Sequence, residues 1–466
     1  MRLRSALMSR SGMFALLTVA LLLWRLPYYG KIVLDDPFIT FRYAQNLADH
    51  GAFVFNPGEN VLATTTPIYG LLLTPIAALH FSLPLAASVI NLLFEIAALY
   101  VLGQILSEFK LSERQQWIAF GITGVLFFTN RAMSIASQSG METPLFTLLN
   151  LLTILCILRR RYRWGAVAGA ATCLTRPDGI FVLVLLGIVI LVRERRLPIA
   201  EILISLGIAL PWVAYATLTY GSFIPHSITA KNAIERLWFA NLSLKFSLVF
   251  YAPLRFFGIF IVLPILWAVY RLIQPERRLP GLVLLTFTLM QLAYMVLPSN
   301  LGFDWYFAPL YTMLDLLAGL GVVLFVNRRA IAWVCAIGIA LGMIYSSVGN
   351  YLSVAENARI WRDGIFQVID YLHEHAPPNS VIQSTNIGLL GYYSGLYILD
   401  PLGLASPQVV PLMADATSLT DLQIRVAAHF HPDYIISFGS EKYADYEQVA
   451  VFPTSSVPLV VYRSQS

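Results

Sequence analysis

The feature that most constrains the fold of this chain is a succession of long apolar stretches separated by clusters of arginine. A helix needs about 20 apolar residues to cross a bilayer. Hydrophobic side chains make up 58% of the 466 residues, charged ones only 12%, and the mean hydropathy is +0.69. These values exclude an ordinary soluble protein and indicate a polytopic membrane protein. We predict about eleven crossing helices, near residues 12–29, 84–106, 116–131, 142–158, 164–176, 179–192, 199–219, 249–271, 281–298, 306–325 and 330–349.

Arginine placement sets the predicted topology, because short cytoplasmic loops carry an excess of Lys and Arg. The N-terminus and the clusters at 159–163, 193–196, 271–278 and 328–329 are therefore expected in the cytoplasm. Reaching the first cluster from an outer first loop takes an odd number of crossings. The short apolar piece 67–81, which carries two prolines, is accordingly expected to lie in the outer leaflet without crossing.

From about residue 350 the composition changes to that of a small α/β domain. Short buried strands are expected at 381–384, 396–400 and 433–437, helices at 355–374 and 420–430, and a closing strand or hairpin at 447–463. We therefore predict a membrane domain over 1–349 and an extracytoplasmic α/β domain over 350–466.

Polar residues gather on the predicted outer face. They fall in the first outer loop 30–66, at 139–144, in the turn 175–179, in the loop 220–248 and at 299–306, whereas the cytoplasmic face holds little but arginine. An acidic and polar cluster on one face indicates an extracytoplasmic active site. A transporter would instead place such residues near the bilayer midplane.

Two adjacent carboxylates, Asp35 and Asp36, open the first outer loop. Pro37 suits the first position of a helix, so Asp36 is expected to be its N-cap, and Asp35 is then the better candidate for a reactive carboxylate. The functional interpretation is a general base that takes a proton from an acceptor hydroxyl. The structural alternative is capping together with a salt bridge to Arg42, which follows Asp35 by seven residues on one helix face.

The remaining candidates would bind substrate, and most of them have a structural alternative. Arg42 and Lys231 both suit a phosphate group. The structural alternative for Arg42 is to neutralise Asp35, and that for Lys231 is to extend its charge to the membrane interface. Arg176 and Asp178 could pair with each other across their turn, and Glu142 could simply favour a helix N-terminus. The full set of predicted substrate-binding residues is Arg42, Tyr43, Glu142, Arg176, Asp178, His226, Lys231, Asp304 and Tyr306. The histidines near the C-terminus are too loosely spaced to predict a metal site.

Several motifs, taken in order, resemble the GT-C glycosyltransferases, integral-membrane enzymes that take sugars from polyprenyl-phosphate carriers. The resemblance is to bacterial members similar to terminal arabinofuranosyltransferases and to mannosyltransferase-like members. It is carried by the segments 35–46, 51–59, 64–67, 139–146, 174–179, 225–231, 388–395 and 400–404.

The resemblance implies an acidic base in the first outer loop, a lipid-phosphate donor in a membrane-facing cavity, and inversion at the anomeric carbon. Asp35 and Asp36 match the acidic pair of the family. Two departures leave the sugar open: Ala63 through Thr66 replace a glycine-tyrosine-threonine turn, and Pro37 replaces a small residue. Some members use a divalent metal and others do not, so a divalent metal stays open here and no other cofactor is predicted.

We therefore predict an inverting glycosyltransferase of a bacterial plasma membrane, with a cytoplasmic N-terminus and an extracytoplasmic C-terminal domain. Its expected partners are a polyprenyl-phosphate-linked sugar donor, a glycan, lipid or protein acceptor of the cell envelope, and membrane lipid. Nucleic acid is not expected, because the arginines cluster at helix ends. Two alternatives stay open: a transporter or flippase of lipid-linked sugars, and a non-catalytic membrane glycan-binding protein.

Overall fold

The computed structural model describes residues 10–28, 33–238, 259–296, 303–325, 334, 338, 362–439, 441–454 and 457–465. The predicted segments that lie wholly or partly outside these residues are 12–29, 30–66, 220–248, 249–271, 281–298, 299–306, 328–329, 330–349, 355–374 and 447–463.

Helices make up most of the described chain. They are α1 (Arg10–Arg25), α2 (Asp36–His50), α3 (Pro67–Ala78), α4 (Leu83–Leu106), α5 (Glu113–Thr129), α6 (Arg131–Ser139), α7 (Thr143–Leu158), α8 (Tyr162–Thr175), α9 (Ile180–Val189), α10 (Ile199–Tyr220), α11 (His226–Trp238), α12 (Ile259–Leu272), α13 (Arg278–Val296), α14 (Ala308–Leu324), α15 (362–375), α16 (Ile387–Ser394) and α17 (Leu419–Phe430). Short 3₁₀ helices include Pro177–Gly179, Asp304–Phe307 and Pro407–Asp415.

Four helical segments of the described chain are long and apolar enough to cross a membrane: Leu83–Leu106, Ile199–Tyr220, Arg278–Met295 and Trp305–Leu324. The pair α5 and α6, bent by 56° where the chain breaks between them, would make a fifth. These helices identify a membrane protein, while the number of eleven crossings stays a prediction. Helix α3 has 12 residues, which rise about 18 Å, and the absence of a crossing at this segment stays a prediction.

The contacts of the chain gather in two units. The first contains Met1–Tyr29, Ser88–Pro211 and Leu242–Leu352, and the second contains Gly30–Ala87, Trp212–Asn241 and Ser353–Ser466. The segment 33–66 and the segment around α11 therefore belong to the same unit as the C-terminal α/β domain.

The first unit is a bundle around a core of leucine, phenylalanine and alanine side chains. A buried ion pair crosses this core between Arg25 of α1 and Glu95 of α4, which are 1% and 0% exposed. The Arg25 guanidinium also donates to the Phe128 carbonyl at 2.9 Å and to Ser134 Oγ at 2.7 Å. A carboxylate inside a membrane bundle is costly unless it is paired, and Arg25 supplies the partner for Glu95.

The second unit contains a five-stranded sheet with the order β2-β1-β3-β5-β4. Its strands are β1 (Val381–Ser384), β2 (Tyr397–Leu399), β3 (Tyr434–Phe438), β4 (Tyr446–Phe452) and β5 (Leu459–Ser464). β1 pairs in parallel with β2 and β3, whereas β5 pairs antiparallel with β3 and β4. The three predicted strands and the helix 420–430 are confirmed, and the closing segment is a hairpin.

Candidate active site

Helix α2 starts the candidate site in the second unit. It begins at Asp36 with Pro37 in its first turn, and Asp35 occupies the N-cap position with φ −73° and ψ −44° and no side-chain cap bond. The prediction that Asp36 caps this helix is therefore wrong, because the helical backbone already includes Asp36.

The Asp35 carboxylate is instead engaged by a distant helix. Oδ2 accepts a hydrogen bond from the Gly388 amide at 2.8 Å, and Oδ1 accepts one from the Leu389 amide at 2.9 Å. These amides lie in the first turn of α16, where backbone N–H groups lack helical acceptors and the helix dipole favours an anion. Asp35 thus has a structural role, with partners that the sequence analysis did not predict.

Asp36 has a different environment from its neighbour. It is half-buried, and no described residue donates a hydrogen bond to its carboxylate. Burial raises the pKa of Asp36, and the positive charge of Lys231 on α11 opposes that rise. Burial likewise raises the pKa of Asp35 to about 7; the two α16 amides lower it, and the charges of Asp36 and Asp400 raise it further. Both carboxyl groups therefore titrate above the ordinary range of aspartate.

The first turn of α11 contributes basic and hydroxyl groups to the same unit. The His226 amide donates to the Leu62 carbonyl at 2.8 Å, which fixes the start of the helix. In the described chain, the buried atoms His226 Nδ1 and Ser227 Oγ have no hydrogen-bond partner, and Ser227 is only 3% exposed. Lys231 follows Ser227 by four residues and so lies on the same helix face. A helix N-terminus with such groups suits an anion.

Arg42 and Tyr43 bind the backbone of the segment that follows α2. Arg42 Nε donates to the Phe55 carbonyl at 2.6 Å, its Nη2 donates to the Leu396 carbonyl at 2.8 Å, and its guanidinium lies 4.6 Å from the centre of the Phe55 ring. Burial lowers the pKa of Arg42 to about 10. The Tyr43 hydroxyl donates to the Val61 carbonyl and accepts from the Ala63 amide at 2.7 Å. Arg42 makes no ion pair with Asp35, so that structural alternative is wrong, and a substrate role for Arg42 and Tyr43 stays a prediction.

The first unit contains a second polar cluster, centred on Arg176. Its Nε lies 3.0 Å from Asp178 Oδ1, and its Nη1 lies 3.6 Å from Glu142 Oε1. The guanidinium lies between the rings of Phe146 and Tyr306, at 4.9 and 4.5 Å from their centres. Glu142 occupies the N-cap position of α7 without a side-chain cap bond. The pairing of Arg176 with Asp178 is thus confirmed, and Glu142 joins it.

Asp304 begins the 3₁₀ helix Asp304–Phe307, which carries Tyr306.

Among the described residues, no three His, Cys, Asp or Glu side chains lie close enough together to hold a metal ion. The structure therefore divides the predicted site residues into two groups. Asp35, Asp36, Arg42, Tyr43, His226 and Lys231 belong to the second unit, and Glu142, Arg176, Asp178, Asp304 and Tyr306 belong to the first. Sequence reasoning missed Ser227, whose only signal was its four-residue spacing from Lys231.

Solved structures with this arrangement of helices are glycosyltransferases of the GT-C type, so the chain has the GT-C fold. ArnT from Cupriavidus metallidurans superposes with a TM-score of 0.67 and 14% identity over 98% of both chains. The oligosaccharyltransferase of Archaeoglobus fulgidus gives 0.59 and 13% identity over 91% of this chain and 68% of that one. The mycobacterial arabinofuranosyltransferase AftD gives 0.55 and 13% identity over 97% of this chain and 40% of that one.

At the level of sequence, residues 354–465 match a family model described as a domain of unknown function, DUF8728. No curated protein matches the chain by sequence. The resemblance drawn from the sequence motifs is therefore confirmed for the fold.

Proposed function

We propose that this protein is an inverting membrane glycosyltransferase that moves a sugar from a polyprenyl-phosphate donor to a hydroxyl group of an extracytoplasmic cell-envelope acceptor. The GT-C fold supports the class of reaction. The archaeal oligosaccharyltransferase AglB, which has this fold, has been solved with a dolichol-phosphate and an inhibitory peptide, which supports a lipid-phosphate donor. The observation that carries the proposal is the half-buried carboxylate of Asp36, which accepts no hydrogen bond from the described residues and lies within the electrostatic influence of Lys231.

Asp36 is the proposed general base. The acceptor hydroxyl oxygen attacks the anomeric carbon, the bond from that carbon to the phosphate oxygen breaks, and the hydroxyl proton passes to the Asp36 carboxylate. A base is most effective when its pKa lies near the working pH, and burial moves the pKa of Asp36 in that direction. Asp35 is less suited to this step, because both of its oxygens already accept amide hydrogen bonds.

The first turn of α11 is the proposed site for the leaving phosphate. Lys231 supplies positive charge, while His226 Nδ1 and Ser227 Oγ are buried groups whose hydrogen-bonding capacity is unused by the described residues. Donors that are already in place as negative charge develops on the phosphate lower the barrier without reorganisation. Asp36 and Lys231 interact electrostatically, so the base and the phosphate site would serve the same reacting centre.

Transfer from a panel of radiolabelled polyprenyl-phosphate sugars into membrane acceptors tests this function. One donor should be consumed by the native protein, and Asp36→Asn should reduce transfer by a factor on the order of 100 to 10,000, the usual contribution of general-base catalysis. Asp49→Asn is the matched control, because Asp49 is an exposed carboxylate at the far end of the same helix, where it bonds Gln45.

Full transfer by Asp36→Asn would refute the assignment of the base. If the native protein moves labelled donor across vesicles without cleaving the sugar-phosphate bond, it is a flippase and the proposed function fails. If it binds every donor and changes none, the non-catalytic glycan-binding alternative replaces the enzyme.

A further inference from the structure

The α/β domain packs closely against the start of the first outer loop, with the backbone of α16 next to that of Asp35. Helix α16 packs against α2 through two glycines, Gly388 and Gly391, three residues apart on one face. A Cβ at Gly388 would collide with the Asp35 carbonyl, and one at Gly391 would collide with the Arg42 guanidinium and come within 3.1 Å of the Phe55 ring. Only glycine permits this approach, and it brings the α16 amides within hydrogen-bond distance of Asp35.

The loop also completes the edge of the sheet. β2 is an edge strand, and an edge strand exposes unpaired backbone groups. The Asn56 side chain bonds both groups of Ile398, donating to its carbonyl at 2.9 Å and accepting from its amide at 3.2 Å. Arg42 binds the carbonyl of Leu396, and the Tyr397 hydroxyl donates to Glu59 at 2.6 Å. These side chains take the place of a further strand.

The helix that carries Lys231 packs on the same domain. Ile234 of α11 lies in one core cluster with Leu399 of β2 and with Val409 and Met413 of the following 3₁₀ helix. Aromatic contacts add to the α2 contact, with ring centres of Phe38 and Tyr392 5.5 Å apart. The helices that bear Asp36 and Lys231 therefore both pack against the α/β domain.

From these contacts we infer that the α/β domain is a positioning element of the active site, and that Asp35 is a positioning residue which fixes Asp36 by binding the N-terminus of α16. This inference rests on the proposed function for its catalytic consequence, although the contact itself does not. It gives the domain of unknown function a role different from that of an independent glycan-binding module. Asp35 and Asp36 would then be adjacent in the chain but distinct in duty.

Two substitutions test separately the charge of Asp35 and its contact with α16. Asp35→Asn keeps the size of the side chain but loses one acceptor and the charge, whereas Gly388→Ala keeps the charge and forces α16 away. Each should lower kcat by a factor on the order of 100, since misplacement of a reacting group by about 1 Å costs that much, with KM for the donor changed less. Gly187→Ala is the matched glycine control, because its added methyl group meets nothing within 4 Å.

The pH profile distinguishes positioning from a general loss of stability. Asp35→Asn removes a negative charge beside Asp36, so the acid limb of kcat/KM should move to lower pH. Gly388→Ala retains that charge, so its acid limb should remain near that of the native protein while kcat falls. Native kcat in both variants would overturn the positioning role, as would equal acid limbs in both.

Amide hydrogen exchange in the full-length protein supplies a readout that does not depend on activity. The Gly388 and Leu389 amides should exchange about tenfold faster or more in Asp35→Asn, because a hydrogen bond to a charged acceptor is weakened. Unchanged exchange rates of these two amides would overturn the proposed contact, even if the protein transfers sugar as proposed. Faster exchange in a protein that transfers no sugar would retain the contact and refute the proposed function.

Discussion

The buried ion pair between Arg25 and Glu95 allows a stability prediction that does not depend on the reaction. Arg25 has three acceptors, namely Glu95, the Phe128 carbonyl and Ser134 Oγ. Glu95 is 0% exposed and pairs with Arg25 alone among the described residues. Removing one partner of a buried pair costs about 3–5 kcal/mol, because the other charge is left buried and uncompensated.

The two single substitutions should therefore lower the free energy of unfolding by different amounts. Glu95→Leu leaves Arg25 with two neutral acceptors, so its loss should lie near the lower limit, about 3 kcal/mol. Arg25→Met leaves the Glu95 carboxylate without a partner, so its loss should lie near the upper limit, about 5 kcal/mol. The double variant should be less destabilised than the sum of the two, because replacing a whole buried pair by apolar side chains is often neutral.

The assay is the free energy of unfolding in mixed micelles, measured for the native protein, both single variants and the double variant. The exposed pair Arg159–Glu108, whose side chains are 33% and 27% exposed, is the matched control and should contribute about 0–1 kcal/mol. Additive losses in the Arg25–Glu95 cycle would refute the reasoning. So would equal coupling energies for the buried and the exposed pair.

Three further predictions follow, two on activity and one on stability. First, the acid limb of kcat/KM should lie above the ordinary aspartate range near 3.9, because burial raises the pKa of Asp36; the base must be ionised, so activity is lost as pH falls through that raised pKa and is complete above it, and a limb at or below 3.9 would contradict this. Second, Ser227→Ala and Lys231→Met should each slow transfer by about 10- to 100-fold, given about 1.5–3 kcal/mol for a charge-assisted hydrogen bond; transfer at the native rate in a single-turnover assay would remove the phosphate site from α11. Third, Arg176→Met should destabilise the first unit by about 3–5 kcal/mol, since it leaves Glu142 and Asp178 buried together; an unfolding free energy within 1 kcal/mol of the native value would mean that the cluster contributes no more than a surface pair.

The local features of the fold were predictable from the sequence because they follow from periodicity. The strands at 381–384 and 434–438 are short apolar runs between turn residues, and α17 follows Ser418, whose side chain accepts a bond from the Asp421 amide. Such signals act over a few residues, so a pattern in the chain contains them. The same holds for the pair Arg176 and Asp178, which are two residues apart.

The duties of Asp35 and Arg42 could not be predicted in this way. Asp35 binds amides that are 353 and 354 residues away in the chain, and no local rule for capping includes such partners. The seven-residue spacing from Asp35 to Arg42 indicates one helix face, but it also separates the two residues by about 10 Å along the axis. Arg42 therefore reaches the carbonyls of Phe55 and Leu396 and not the carboxylate.

The division of labour between the two carboxylates has a physical reason. Two adjacent anions in a half-buried site repel each other, so at least one of them needs compensation to remain ionised. The α16 amides give Asp35 two hydrogen bonds, while among the described residues Asp36 is compensated by the more general attraction of Lys231. Each oxygen of Asp35 thus already accepts one amide hydrogen bond, whereas neither oxygen of Asp36 accepts one from the described residues, so the Asp36 carboxylate is more available to a hydroxyl proton. Under the proposed function, the acidic pair at this position supplies one anchored carboxylate, Asp35, and one reactive carboxylate, Asp36.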